Sequence, residues 1–538
     1  MASVASESSH AWNARRHATA TSARLRRWAD RPWVAAALLG TTSLCISAAL
    51  SVARWPMPAV HDEFSYLLAA DTFCEGRLTN PPHPHWQHFE TFHVIQQPTY
   101  ASKYPPGQGL FLALGQRITG RPIAGVWVET ALATVACYWM LLGWTSRRWA
   151  AVGGALFAVH PSYQLYWGQS YWGGTAALLA AALVFGAALR MRWRCRAADA
   201  VCMASGAVLL AVTRPFEGFV FCLLTGLWVL SHYLRRGLPG DWRQFVVQTV
   251  APQAAVLGLG MGALFVYHQA VTGDPLTFPY AVHERTYGQS PLFIGRQPSP
   301  PPTYRHAMIE KFHSGWELDW VRRQQSLAGW LQTKWRFIAY DAEFFFPGLL
   351  GLPALLLAAT PLRRGWGRAT PALVISLASF AISLAAIWNF PHYAAPTAPL
   401  LLMAVVAGLR RADVMARRRF GWRFLVVGFA AIQVLLFAAK AVDHAARPVF
   451  GWWAERAAIQ DQLEATPRRH LVFVEYDASH DPNAEWVYNR ADIDRAKVVW
   501  ARKMDPASDA SLARHFADRT VWLVEPDARR LRRLSSEQ

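Results

Sequence analysis

The chain has 538 residues, of which 53% are hydrophobic and only 17% charged, where a soluble chain carries about 25% charged residues. Its formal charge of +19 is not spread over a surface. The arginines gather in short clusters between long apolar runs, the placement expected of inner loops in a membrane protein, so no nucleic-acid partner is expected. Of the six cysteines, five lie in or beside apolar runs and only Cys74 falls in a hydrophilic loop, which excludes an external disulfide framework.

Residues 1–31, with arginines from Arg15 to Arg31, precede the first apolar run without a convincing small-residue cleavage site, and read as a cytoplasmic segment ahead of a retained crossing. A crossing needs about 20 apolar residues, and windows of that kind give about eleven helices: 32–53, 122–145, 150–163, 173–190, 200–213, 216–234, 244–270, 344–361, 370–388, 393–409 and 424–440. With the N-terminus inside, every short inner loop is basic: Arg147 and Arg148; Arg190, Arg192, Arg194 and Arg196; Arg235, Arg236 and Arg243; Arg363, Arg364 and Arg368; and Arg410 to Arg423. The short outer stretches Pro161–Gly173 and Asn389–Tyr393 carry no lysine or arginine. The expected fold is an all-α polytopic membrane protein, with residues 32–441 as the membrane domain. Two large loops, 54–121 and 271–343, and the tail 442–538 then lie outside. The second loop, rich in Pro and aromatics, reads as irregular. Short β-prone runs at Leu471–Tyr476, Lys497–Ala501 and Thr520–Val524 make the tail a small α/β domain. Tryptophans at predicted span ends, such as Trp33, Trp55 and Trp144, fit an interfacial belt.

The first outer loop carries the clearest chemistry. It opens Val60-His61-Asp62-Glu63-Phe64-Ser65-Tyr66. Asp62 is a good N-cap and Gly76 a plausible stop, predicting a short helix over Asp62–Glu75. Adjacent helical residues point about 100° apart, so Asp62 and Glu63 cannot both face one reacting atom; one can act as base while the other caps or orients. Both acids could equally serve as caps alone. The loop closes Ser102-Lys103-Tyr104-Pro105-Pro106-Gly107-Gln108, a cation followed by rigid prolines at the depth of a phosphate headgroup.

An Asp-Glu-x-x-Tyr opening and a Lys-Tyr-Pro-Pro close resemble the C-type membrane glycosyltransferases, with the protein mannosyltransferase and aminoarabinose transferase groups most similar. The resemblance spans roughly residues 30–410 and includes Asn389-Phe390-Pro391-His392-Tyr393-Ala394-Ala395-Pro396; the tail lies outside it. It implies a sugar donor on a polyprenyl phosphate, a glycan, lipid or protein acceptor, an inverting displacement, and Asp62 as general base with Glu63 beside it. Tyr66, Lys103 and Tyr104 would line the substrate site. Cations stabilise a departing phosphate most directly, making Lys103 the first candidate and Arg214, in Thr213-Arg214-Pro215-Phe216-Glu217, the second. Glu217, His392 and Tyr393 complete the expected binding set. Many relatives place a second acid in the next outer loop, but here His160–Gly174 has none. Its Trp167, Tyr171 and Trp172 could stack on a sugar, or form an interfacial belt.

Glu129 lies inside a predicted crossing, about 10 Å below its end, where an acid is either functional or bonded to a neighbouring helix. His83, His85, His88 and His93 crowd the first loop and could bind a divalent cation with Asp62 or Glu63, although loop histidines are more often ordinary polar residues and no cofactor is expected. Arg285 and Arg305 could clamp phosphate or be solvated. A polytopic lipid or solute transporter, or a non-catalytic envelope-assembly protein, is the alternative function; few ionisable residues in the crossings and no internal repeat weigh against transport. The expected location is the inner membrane of a bacterium, inferred from the Ala/Arg-rich style, with the C-terminus on the outer side.

Overall fold

The computed structural model describes residues 31–359, 369–420 and 424–534. The basic N-terminal segment and the arginines 363, 364, 368 and 423 of the predicted inner loops lie outside the described residues. The chain opens with α1 (Pro32–Ala53), passes through α2 (His61–Cys74) and α3 (Pro106–Thr119), and enters the bundle as α4 (Ile123–Leu142). Among the described residues six helices are long and apolar enough to cross a membrane: α1, α4, Gly174–Met191, Pro215–Arg236, Trp242–Thr272 and Leu425–Ala446. A seventh arises if Leu327–Phe345 and Gly348–Ala358, bent by 106°, form one span. The chain is a multi-pass membrane protein. The remaining expected crossings fall on helices that do not reach this length and composition, such as Ala197–Ala211 and Thr370–Ser383.

Burial explains the pattern of apolarity. Gly174–Met191 is buried on nearly every side by its neighbours, so it is uniformly apolar with no polar stripe. Leu425–Ala446 buries only Gln433 and Phe437 and exposes Val427, Leu435 and Val442, an apolar surface that a bilayer would cover.

The second loop departs from its expected irregularity. It holds helices at Pro279–Thr286 and Leu318–Arg323, and Leu327–Phe345 begins inside it. Aromatic packing supplies the order: Phe312 stacks on Phe92 of the first loop at 4.1 Å, and Trp316 on Trp388 at 5.3 Å. The bend between Leu327–Phe345 and Gly348–Ala358 likewise replaces the single predicted helix 344–361; Pro347 sits at the break, where it cannot donate a helical hydrogen bond.

After the helix Trp452–Glu464, the C-terminal region forms a four-stranded sheet in the order β4-β3-β5-β6, with β3 (His470–Val474), β4 (Val498–Arg502), β5 (Thr520–Glu525) and β6 (Arg530–Arg533). β3 pairs parallel with β4 and β5, and β6 closes antiparallel on β5. A two-stranded ladder, β1 (Val94–Ile95) with β2 (Ala101–Ser102), closes the first loop. β3 and β4 are buried along their whole length, β3 as an inner parallel strand and β4 although it stands at the sheet's edge. They share an apolar core with Leu68 of α2 and Phe89, Val94 and Tyr100 of the first loop.

Polar links reinforce that contact. The Arg502 guanidinium pairs with Glu485, both almost fully buried, and its Nε donates to the Glu90 carbonyl at 2.6 Å. The Glu90 carboxylate in turn accepts from Tyr287 Oη (2.9 Å) and Arg305 (2.7 Å) of the second loop, so Arg305 is engaged in protein contacts. On the other side, Asp71 of α2 accepts from Arg490 and from the Ala491 N–H. Removing one partner of a buried pair strands the other charge. Arg502→Met should therefore destabilise the protein by about 3–5 kcal/mol, read as a lower thermal midpoint, and Arg502→Met with Glu485→Leu should recover part of the loss.

Candidate active site

The first turn of α2 sets the site. Its N-cap is Val60, in extended conformation, not Asp62. The capping acid is Glu63: one carboxylate oxygen accepts from the N–H of Ala59 (2.7 Å) and Val60 (3.2 Å), and the other from Tyr171 N–H (2.9 Å). Glu63 is buried, and desolvation pushes its pKa up to about 7 against the lowering effect of those three donors. It fastens α2 to the Trp167–Tyr171 turn. Gly76, at φ +73°, ends the helix where a side chain would be strained.

With Glu63 turned inward, Asp62 points to the open side, its side chain 31% exposed. Tyr104 Oη donates to its carboxylate, and His93 Nε2 lies 3.9 Å from the other oxygen. Tyr66, one turn along α2, stacks on Tyr104 at 4.6 Å. His93 holds φ +62°, a conformation that costs energy for a residue with a Cβ. It is fixed there by its carbonyl, which accepts from Ser65 Oγ (2.6 Å) and Lys103 N–H (3.1 Å). Burial, with Lys103 and three neighbouring histidines, holds its imidazole well below the usual histidine range.

The Tyr-Pro-Pro-Gly turn joins Asp62 to Arg214. Gly107 N–H donates to Val212 O at 2.7 Å, and a Cβ on Gly107 would meet Thr213 Cγ2 at 2.5 Å; only glycine permits that approach. Arg214 sits over the Tyr393 ring at 5.0 Å and lies within electrostatic reach of Tyr66, Tyr104 and Glu217. Tyr66 and Tyr393 feel both Asp62 and Arg214, and Tyr104 does as well. Among the described residues no carboxylate forms an ion pair with Arg214.

Lys103 is placed differently. It is buried, pairs with Glu284 of the second loop at 3.3 Å and lies over the Tyr280 ring. Burial alone would raise the Glu284 carboxyl, but Lys103 and His283 hold it well below its ordinary value. Trp167 is fully buried, stacked on Tyr163 and packed against Gly174, so its faces are taken by protein. Tyr171 donates through Oη to Pro56 O, while Trp172 is partly exposed and meets His392 at 4.8 Å. The two acid-free stretches, 160–174 and 389–396, thus meet beside Tyr393. Glu129 is buried next to Gln108 of the Pro-Pro-Gly-Gln turn.

Sequence reasoning missed His61, His283, His313, Glu284 and Glu317 as neighbours. His61, His93, His283 and His313 form a buried series with ring centroids 5.3, 6.0 and 5.8 Å apart. His313 Nδ1 lies 2.6 Å from Glu317. Apart from the i,i+4 spacing of His313 and Glu317, no spacing in the second loop signals this grouping. His61, Asp62 and His93 bring ligand atoms within 4.8 Å of one another, a set that could hold a divalent ion.

No family model and no curated protein sequence matches the chain. Solved structures do. ArnT from Cupriavidus metallidurans in the apo state covers 92% of this chain and 93% of its own length at 15% identity, with a TM-score of 0.51. ArnT bound to undecaprenyl phosphate matches with a TM-score of 0.46, 14% identity and coverage of 92% and 90%. The Archaeoglobus fulgidus oligosaccharyltransferase in complex with Zn and sulfate gives 0.43, 12% identity and coverage of 90% and 67%. The chain shares the fold of the apo aminoarabinose transferase ArnT, which is the fold of the C-type glycosyltransferases.

The raised pKa of Glu63 gives a pH prediction. The folded protein holds this proton up to about pH 7, whereas the unfolded chain releases it near the ordinary 4.5. Stability should therefore fall as pH rises between those values, by up to about 3 kcal/mol. Melting curves across this window should show the fall in the parent and its loss in Glu63→Gln.

Proposed function

We propose that this protein is a glycosyltransferase that moves one sugar from a polyprenyl-phosphate donor to a hydroxyl of a glycan, lipid or protein, with inversion, at the outer face of a bacterial inner membrane. The observation that carries this reading is a part-exposed carboxylate set against the same tyrosines as a largely buried guanidinium that has no carboxylate partner among the described residues. Asp62 and Arg214 share three tyrosine neighbours, and neither is neutralised by a buried ion pair. Asp62 takes the proton of the acceptor hydroxyl as its oxygen attacks the anomeric carbon. The bond from that carbon to the phosphate oxygen breaks with its electron pair, and the phosphate leaves as an anion beside Arg214.

A narrow cleft of about 10 Å³ lies beside Glu217 and Tyr393, between Phe216, Val220, Phe380 and Pro396. It would have to widen to take an isoprenoid tail behind a phosphate on Arg214. Arg214 caps the N-terminal end of Pro215–Arg236, while Arg235 and Arg236 end the same helix. Its 22 residues span about 33 Å, so the site lies a membrane thickness from the basic end. The positive-inside rule then puts Asp62 outside. By the same rule the N-terminus is inside, and the eleven helical segments read as eleven crossings, some short or bent. The tail from residue 442, described to residue 534, would lie on the outer side as an α/β domain. The polar cluster is confined to that side, which favours surface chemistry over alternating access.

Purified protein with radiolabelled polyprenyl-phosphate sugars and membrane extract tests this reading. Asp62→Asn should lower kcat about 10²–10⁴-fold, and Arg214→Gln about 10²–10³-fold, with both variants folded. Lys103→Gln, in contrast, should reduce thermal stability along with rate, because its removal strands Glu284. Parent-level transfer by Asp62→Asn would remove Asp62 as base; failure of the folded parent with every donor would turn the reading toward transport.

A further inference from the structure

The first-loop histidines divide between two places. His93 joins Asp62, but His83 and His85 lie some distance along the chain in a His-Pro-His turn, against the C-terminal sheet. His83 Nε2 is 3.3 Å from Asp494 Oδ1, and His515 Nε2 is 2.8 Å from the same oxygen. The ring centroids of His83, His85 and His515 are 5.8, 4.9 and 5.4 Å apart. Neighbouring ligand atoms on a tetrahedral ion with bonds of about 2.0–2.2 Å lie about 3.3 Å apart, and three imidazoles on it have centroids about 5 Å apart. His83, Asp494 and His515 already bring one ligand atom each within 4.8 Å of one another.

We propose that His83, His85, Asp494 and His515 form a binding site for a zinc-class divalent ion that fastens the C-terminal sheet to the first loop. Three imidazoles and one carboxylate suit a borderline metal such as Zn²⁺ and not Mg²⁺ or Ca²⁺, which take oxygen ligands.

The proton balance is local. The His85 N–H donates to His83 Nδ1 at 3.0 Å, so without metal His83 carries its hydrogen on Nε2 and donates to Asp494. Binding puts the metal on Nε2 and the ring hydrogen on Nδ1. The His85 N–H is thereby released, and the turn rotates to bring the partly exposed His85 ring inward as the third nitrogen. His515 moves off Asp494 by about half an ångström to the tetrahedral spacing. The residues joined are about 410 positions apart, as the 411 separating His83 and Asp494 show. Phe89, a few residues on, packs in the same core as Leu68 of α2, so the ion would steady the helix that carries Asp62.

The test uses the full-length, untagged protein in detergent, stripped with chelator and titrated with Zn²⁺ by calorimetry, then with Co²⁺ for its visible spectrum. The parent should bind one ion tightly at this site and show the intense bands of tetrahedral Co²⁺. His83→Ala and His515→Ala should weaken that binding by at least about 100-fold. His515→Gln, which can still donate to Asp494 and so preserves the seam, should lose the ion while keeping the parent's circular dichroism and elution volume. Asp62→Asn should keep the site intact, because Asp62 belongs to the other cluster. Zn²⁺ should raise the melting temperature of the parent and not of His515→Gln. No tight binding by the parent, unchanged affinity in folded His515→Gln, or loss of the ion in Asp62→Asn would each overturn the proposal.

Discussion

Glu63 exchanges hydration for hydrogen bonds from Ala59, Val60 and Tyr171, and the arrangement of the site follows from that exchange. A buried carboxyl tolerates so little freedom that its donors must be held in place. Here those donors come from the strand-like entry to α2 and from a turn more than 100 residues away. They fix both the rotation of α2 and its position against the bundle. Since neighbouring side chains on a helix diverge by about 100°, burying Glu63 leaves Asp62 at the open edge, where Tyr104 holds it.

The same logic extends outward through polar groups that meet across segments instead of within them. Glu90 is reached by Tyr287 and Arg305 from the second loop, and its carbonyl by Arg502 from β4. Asp71 joins α2 to Arg490. Each contact alone is a modest term. Together with the apolar core shared by α2, the first loop and the sheet, they hold three distant stretches of chain as one body around the site. The C-terminal sheet is thus part of what positions α2.

Much of this was legible where periodicity and length carry the signal. Apolar runs marked the helices, and the β-prone runs near residues 471, 497 and 520 became β3, β4 and β5. The adjacency of Asp62 and Glu63 required one acid to turn away, and the structure shows which does. Legibility failed where partners are remote. Nothing near Lys103 in sequence announces Glu284, so the lysine read as a fixed cation facing phosphate without its carboxylate partner. Trp167 read as a sugar-stacking or interfacial aromatic because its cover, including Tyr163 and Phe344, is assembled only by the fold. The second loop seemed irregular for the same reason: its helices are short, and their order comes from stacking on Phe92 and Trp388, which no local period encodes.

The different surroundings of Lys103 and Arg214 decide how a negative ligand would be received. Two cations at one leaving-group site would repel each other when it is vacant and would need counter-charges of their own. Lys103 has such a counter-charge in Glu284 and is nearly closed to solvent; its cation holds the second loop against the first. Arg214 has aromatic faces instead, which favour a guanidinium without cancelling its charge. An arriving phosphate would find its hydrogen-bond donors uncommitted to any carboxylate. Guanidinium geometry also matches two phosphate oxygens at once, which an ammonium cannot do. On the proposed reading the ligand-facing cation would therefore be the arginine, since the lysine already has Glu284 as its partner, and this division follows from their partners, not from their order along the sequence.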